Sequence, residues 1–167
     1  MMKYIKALAL FSLLVIFPLG SWYYLDSGLD FRKKLMKEIE VDGTMVSDLN
    51  PSDSLSQLLT KKTTIYIIDH NKLDREEIIK LYEQFKSTYT FQLVTERNEF
   101  IELYNEKFIL SPDKLSTNQD ETYAYLIDTS GNVRYAYQSS DDITKLVEHA
   151  AITIPKRPEK DIVLKNR

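Results

Sequence analysis

Asp69 and His70 stand side by side after the apolar run Thr64–Ile68. A carboxylate beside an imidazole is a pairing that general-base and metal chemistry uses, because the carboxylate can fix the ring's tautomer. No serine, cysteine or second histidine lies near them in the sequence to complete a triad or a ligand set, so a polar pair closing a strand end is the simpler account. The other histidine, His149, flanks an apolar helical stripe and is expected to face partly into solvent, and no ligand-spacing motif links the two. Asp69, Asp74, Glu76 and Glu77 form an acidic cluster that could attract a cation, but helix capping and dipole complementarity explain it with less. Four of the eleven tyrosines, Tyr123, Tyr125, Tyr135 and Tyr137, recur at alternate positions in two β-prone segments. Alternation sets them on one face of a ribbon, either as half-buried core or as an exposed aromatic strip to which a partner docks.

The chain has no cysteine. Disulfide exchange, thiol-dependent peroxide reduction and thiolate metal binding all need a sulfur nucleophile or ligand, so these chemistries are excluded. Its 22 basic and 25 acidic residues give a net charge of −3, with the basic ones dispersed rather than striped, which argues against a nucleic-acid partner. Four glycines and the lack of any GxGxxG or Walker pattern leave nucleotide binding without support. No cofactor or metal is expected.

Residues 1–25 read as a membrane anchor. After Lys3 and Lys6, the segment Ala7–Leu25 carries no charge, and as a helix it would rise roughly 28 Å, about the thickness of a bilayer's hydrocarbon core. Trp22, Tyr23 and Tyr24 lie at its far end, where an interfacial aromatic belt belongs, and Pro18 would at most kink it. No small-x-small cleavage site precedes the polar region, which favours an uncleaved anchor over a signal peptide. Arg32, Lys33, Lys34 and Lys37 outnumber Lys3 and Lys6, and taken alone this would keep the following domain in the cytoplasm.

Residues 26–40 read as an amphipathic linker or helix, residues 41–155 as one α/β domain, and residues 156–167 as a charged tail. Within the domain, Asp42-Gly43 signals a small hairpin over 41–47, and 54–59 a short helical turn. The β-branched and aromatic run 64–69 predicts a central parallel strand covered on both faces. Asp74 followed by Glu77 is a capping box opening a helix to about residue 88. Residues 91–95 follow as a second strand, Asn98 caps a helix burying Ile101, Tyr104 and Phe108, and 109–121 reads as a long loop. Strands at 123–128 and 133–138 surround Asp128-Thr-Ser-Gly131-Asn, where the glycine can supply positive φ. Ser139 or Ser140 caps a last helix that stops before Pro155.

The resulting order, a βαβ unit followed by a hairpin and a covering helix, is that of a thioredoxin-like mixed sheet flanked by helices, here behind one N-terminal transmembrane helix. Residues 40–155 resemble the Sco/SenC family, membrane-anchored, redoxin-related copper proteins of cytochrome c oxidase assembly. The resemblance lies in VDGTMVS entering the domain, TIYIID before a helix, and YAYLIDTSGNVRYAY. It implies a domain on the periplasmic side of the inner membrane. That family binds copper through a Cys-x-x-x-Cys pair after the first central strand and a histidine before the hairpin strand. Here the loop is Asp69-His70-Asn71-Lys72-Leu73-Asp74, and the histidine position falls on or near Asp120, so no copper ligand carries over. The expectation is a non-catalytic, membrane-anchored binding or accessory factor whose partner is a membrane protein complex, the respiratory oxidase or its assembly factors. An enzyme using the Asp69/His70 loop, or a periplasmic interaction domain unrelated to respiration, is the alternative.

Overall fold

The computed structural model describes Lys6 and residues 10–40, 43–49, 51–68, 72–96, 98–111 and 121–155. Two compact units emerge, Met1–Glu38 and Ile39–Arg167. In the first, a π-helical turn, Ser12–Ile16, runs into helix α1, Phe17–Glu38. The wide turn falls just before Pro18, whose ring clashes with the carbonyl four residues back and which has no N–H to donate. Helix α1 continues unbroken across Leu25–Asp26, so the end of the apolar run and the amphipathic stretch share one axis. Among the described residues no helix is long and apolar enough to cross a membrane. Only Phe17–Leu25 of the uncharged run falls in α1, and Asp26, Asp30, Arg32, Lys33, Lys34, Lys37 and Glu38 occupy the rest.

The second unit is a five-stranded mixed sheet flanked by helices. Its elements are helix α2 (Asp53–Leu59), strand β1 (Thr63–Ile67), helix α3 (Arg75–Phe85), strands β2 (Phe91–Thr95), β3 (Phe108–Leu110), β4 (Thr122–Ile127) and β5 (Val133–Gln138), and helix α4 (Ile143–Thr153). The strand order is β3-β2-β1-β4-β5. β2 pairs with β1 and with β3 in parallel, and β4 is antiparallel to both β1 and β5. All five residues of β1 are buried, as its continuous apolar run requires of a strand covered on both faces. Alternation divides the core. Ile65, Ile67 and Leu93 pack with Ile78, Leu81 and Phe85 of α3 and Leu146 and Ala150 of α4. Tyr66 and Val94 point the other way, onto Leu55 and Leu59 of α2.

The capping box opens α3 as its spacing predicts: the Asp74 carboxylate accepts the Glu77 N–H at 2.7 Å, and the Glu77 carboxylate accepts the Asp74 N–H at 3.0 Å. Four expectations fail. The segment entering the domain forms no hairpin of its own among the described residues; Met45 instead bridges to Asn132, with Val46 N–H donating to Gly131 O at 2.9 Å. A hairpin needs a second strand, and Val46–Leu49 winds into a 3-10 turn. Asn98–Leu103 is likewise a 3-10 helix, which buries Phe100 and leaves Ile101 and Tyr104 exposed. Part of the expected loop at 109–121 is β3, a three-residue strand too short for a periodic signature, while residues 112–120 lie outside the described residues. Finally, the residue capping α4 is Asp142, while Ser139 Oγ donates to Glu121 O at 3.1 Å.

Candidate functional site

The carboxyl end of β1 is where open α/β sheets place ligands, because loops from neighbouring strands diverge there. Asp69, His70 and Asn71 lie outside the described residues, as does Asp120. Around them the frame is defined. Ile68 N–H donates to Tyr123 O at 2.9 Å, tying the end of β1 to the start of β4. Lys72 Nζ donates to Ser139 O at 2.5 Å, and Ser139 N–H donates to Glu121 O at 3.0 Å. Main-chain bonds thus join the end of β1 and the turn before α4 to the entry to β4, and the Lys72 side chain reaches the same turn. Among the described residues no group of three or more His, Cys, Asp or Glu side chains could hold a metal ion.

The tyrosines behave differently from a one-faced strip. Between Thr122↔Gln138 and Ala124↔Tyr137 the register slips, leaving Tyr123 as an extra residue in β4, and between Leu126↔Tyr135 and Ile127↔Val133 it slips again at Arg134. A bulge reverses which face the following residues occupy. As a result Tyr123, Tyr135 and Tyr137 share the α4 face, and Tyr125 packs on the α2 face with Tyr66 and Ile127. Tyr123, Tyr125 and Tyr137 are buried and Tyr135 is half-buried, so the exposed docking strip does not exist.

What forms instead is an aromatic and polar cluster under α4. The ring centres of Tyr123 and Tyr137 are 6.1 Å apart, and those of Tyr135 and Tyr137 4.7 Å. His149 is fully buried here, contrary to the solvent-facing position expected of it. It follows Leu146 by three residues and so shares that residue's inward face. Its Nδ1 lies 3.1 Å from Tyr137 Oη, and its ring meets Tyr135 edge-on at 5.0 Å. One turn earlier, Lys145 Nζ donates to Tyr135 Oη at 2.5 Å and pairs with Asp141 at 3.0 Å.

Burial, reinforced by the Asp141, Asp142 and Glu77 carboxylates, pushes the Tyr123 hydroxyl well above the usual tyrosine range. Burial raises Tyr137 further, with Tyr123, Tyr135 and Asp141 adding to it. The hydrogen bond to Tyr135 raises Lys145 against the opposing effect of burial. These shifts keep Tyr123 and Tyr137 neutral and Lys145 cationic at ordinary pH. The sequence carries the signal for this cluster only in part, in the spacing 143, 146, 147 and 150; nothing in it marks the bulges that bring three tyrosines to that helix.

Among the described residues of this unit, the outward-facing large apolar side chains are Met45, Tyr89, Ile101 and Tyr104, the last three each more than 60% exposed. Ile101 and Tyr104 lie at the 3-10 helix beside the β3 edge. No family model, curated protein or solved structure matches the chain.

Proposed function

We propose that this is a membrane-anchored, thioredoxin-like protein that acts by binding rather than by catalysis, as an accessory factor to a membrane complex. The observation that supports it most is the strand order β2-β1-β4-β5 with α3 and α4 on one face, joined to a chain that has no cysteine. A thioredoxin-like arrangement without a thiol keeps its surface for recognition. The Sco/SenC resemblance names the kind of partner, a respiratory oxidase or its assembly factors, and favours a domain outside the cytoplasmic membrane. Support for the anchor is the uncharged run 7–25, whose described side chains Leu13, Leu14, Phe17, Leu19, Trp22, Tyr23 and Tyr24 are all exposed and await an apolar environment. Tethering raises the domain's effective concentration near a membrane partner.

With the tyrosines buried, the docking residues of this reading are Ile101 and Tyr104. The test is to purify the tagged full chain from native membranes in mild detergent. A stoichiometric membrane-protein partner is expected, and replacing both residues by serine should weaken it by about tenfold, the equivalent of losing one interface anchor of about 1.4 kcal/mol, without altering the melting temperature. A chain that purifies alone, together with a deletion that leaves respiratory complexes at normal abundance, would refute the reading.

A further inference from the structure

We propose that Tyr137 and His149 form a one-electron donor site, in which an oxidant of the peroxyl-radical class takes an electron from Tyr137 while its phenolic proton passes to Nδ1 of His149. This stands independently of the binding role above.

Its basis is that three tyrosines are packed together and only one of them touches a base. Tyr137 Oη is 3.1 Å from His149 Nδ1, and both side chains are fully buried. Tyr123 is equally buried, and its hydroxyl has no hydrogen-bond partner among the described residues. A phenol with no proton acceptor keeps its proton as the electron leaves and becomes a radical cation, whereas a phenol beside a base ends as a neutral radical with the proton on the imidazole, which holds it far more firmly than an oxidised phenol does. Tyr135 is half-buried and carries a cation against it: Lys145 Nζ lies 4.5 Å from the ring centre as well as donating to Oη. A fixed positive charge at that distance opposes removal of an electron from the ring. Electron loss is therefore favoured at Tyr137, whose ring centre lies 4.7 Å from that of the half-buried Tyr135.

The step balances. Tyr137 gives up one electron and one proton and becomes a neutral tyrosyl radical. His149 becomes an imidazolium. The peroxyl radical becomes a peroxide anion, which takes a proton from water. Because the hydroxyl and Nδ1 already share a hydrogen bond, the proton moves without rearrangement of the core.

The test is photo-oxidation of the full chain in detergent micelles by tris(bipyridine)ruthenium(III), in a background with Trp22, Tyr23, Tyr24, Tyr89 and Tyr104 replaced by phenylalanine, because these exposed rings would compete. The expected result is a neutral tyrosyl radical by electron paramagnetic resonance that disappears in Tyr137→Phe and persists in Tyr123→Phe. In His149→Gln its formation should slow about a hundredfold, the low end of what a positioned base contributes, and should lose the solvent deuterium isotope effect seen in the parent. Tyr137→Phe removes only a hydroxyl, so it decides the matter even if His149→Gln fails to fold. A radical unchanged in Tyr137→Phe, or a folded His149→Gln protein that keeps the parent's rate and isotope effect, would overturn the assignment.

Discussion

Replacing Asp128 by asparagine should cost the α/β unit about 2 kcal/mol at neutral pH, because the carboxylate is the point from which the β4–β5 turn is built. Oδ1 accepts the backbone N–H groups of Ser130 at 2.8 Å and Asn132 at 2.9 Å. Oδ2 accepts Asn132 Nδ2 at 2.9 Å and Arg134 Nε and Nη2, both at 2.8 Å. Asparagine can keep the two backbone donors on its carbonyl, but then turns an NH2 toward the Arg134 guanidinium and the Asn132 amide. Donors face donors. A hydrogen bond to a charged group contributes about 1.5–3 kcal/mol, and the Arg134 side chain, about a third exposed, recovers part of its loss from water. At roughly 4 °C per kcal/mol for a domain of this size, the melting temperature should fall by about 8 °C. Burial pushes the Asp128 carboxyl up, but the hydrogen bonds from Asn132, Ser130 and Arg134 outweigh it and hold it below the usual range. A carboxyl depressed in the folded state contributes stability above its unfolded value of about 3.9 and loses it as pH falls through the folded value. The gap between parent and Asp128→Asn should thus be constant from about pH 5 to 8, begin to narrow below about pH 4 as the unfolded chain's carboxyl takes up a proton, and close once pH falls through the lower folded value, where the parent's carboxyl also becomes neutral. Circular-dichroism melts of the full chain in micelles at pH 7, 5 and 3 measure this. Equal melting temperatures at pH 7, or a gap undiminished at pH 3, would refute the argument.

Gly131 should not tolerate alanine. Its φ of +82° lies in the left-handed region and an added Cβ would sit 2.9 Å from Thr60 Cγ2, so Gly131→Ala should lower stability by about 1–2 kcal/mol, read as a shift of the urea midpoint. The chain should retain no Cu(I) through desalting against a competing chelator, since it has no thiolate to offer, and stoichiometric copper surviving that step would contradict the reasoning.

Two sequence signals that act within a single turn are followed closely by the structure, at Asp74 and at Gly131. Asp74 and Glu77 act within one helical turn, and Gly131 within one tight turn, so residue type and spacing carry the whole instruction. Strand β1 was legible for a similar reason, as Ile65, Tyr66 and Ile67 need no alternation when both faces are covered. Strand β3 was missed because it depends on pairing at a distance. β3 exists because Phe108, Ile109 and Leu110 sit beside Leu93, Val94 and Thr95, a relation the sequence alone cannot display. Asn98 began a helix in both pictures, yet the turn tightened to 3-10 and rotated Phe100 inward in place of Ile101.

The tyrosine cluster shows why the candidate site was harder to read than the fold. Strict alternation makes Tyr123 and Tyr125 equivalent, but the extra residue at Tyr123 turns it onto the α4 face while Tyr125 stays opposite. At the second slip the extra residue is Arg134, whose guanidinium pairs with Asp128 in the turn, while Val133 lies on the α2 face and Tyr135 and Tyr137 lie beneath α4. The Asp128 carboxylate thereby ties the hairpin turn to the bulged residue beside Tyr135, and Tyr135 and Tyr137 are the rings that meet His149. Loosening that turn in Asp128→Asn should then disturb the Tyr137–His149 contact at neutral pH, although the two lie in different parts of the hairpin. Rigid placement of Tyr137 and His149 is what the proposed proton transfer needs, so radical formation and melting temperature should fall together in that variant. They should separate in His149→Gln, if it folds, where the base alone is removed.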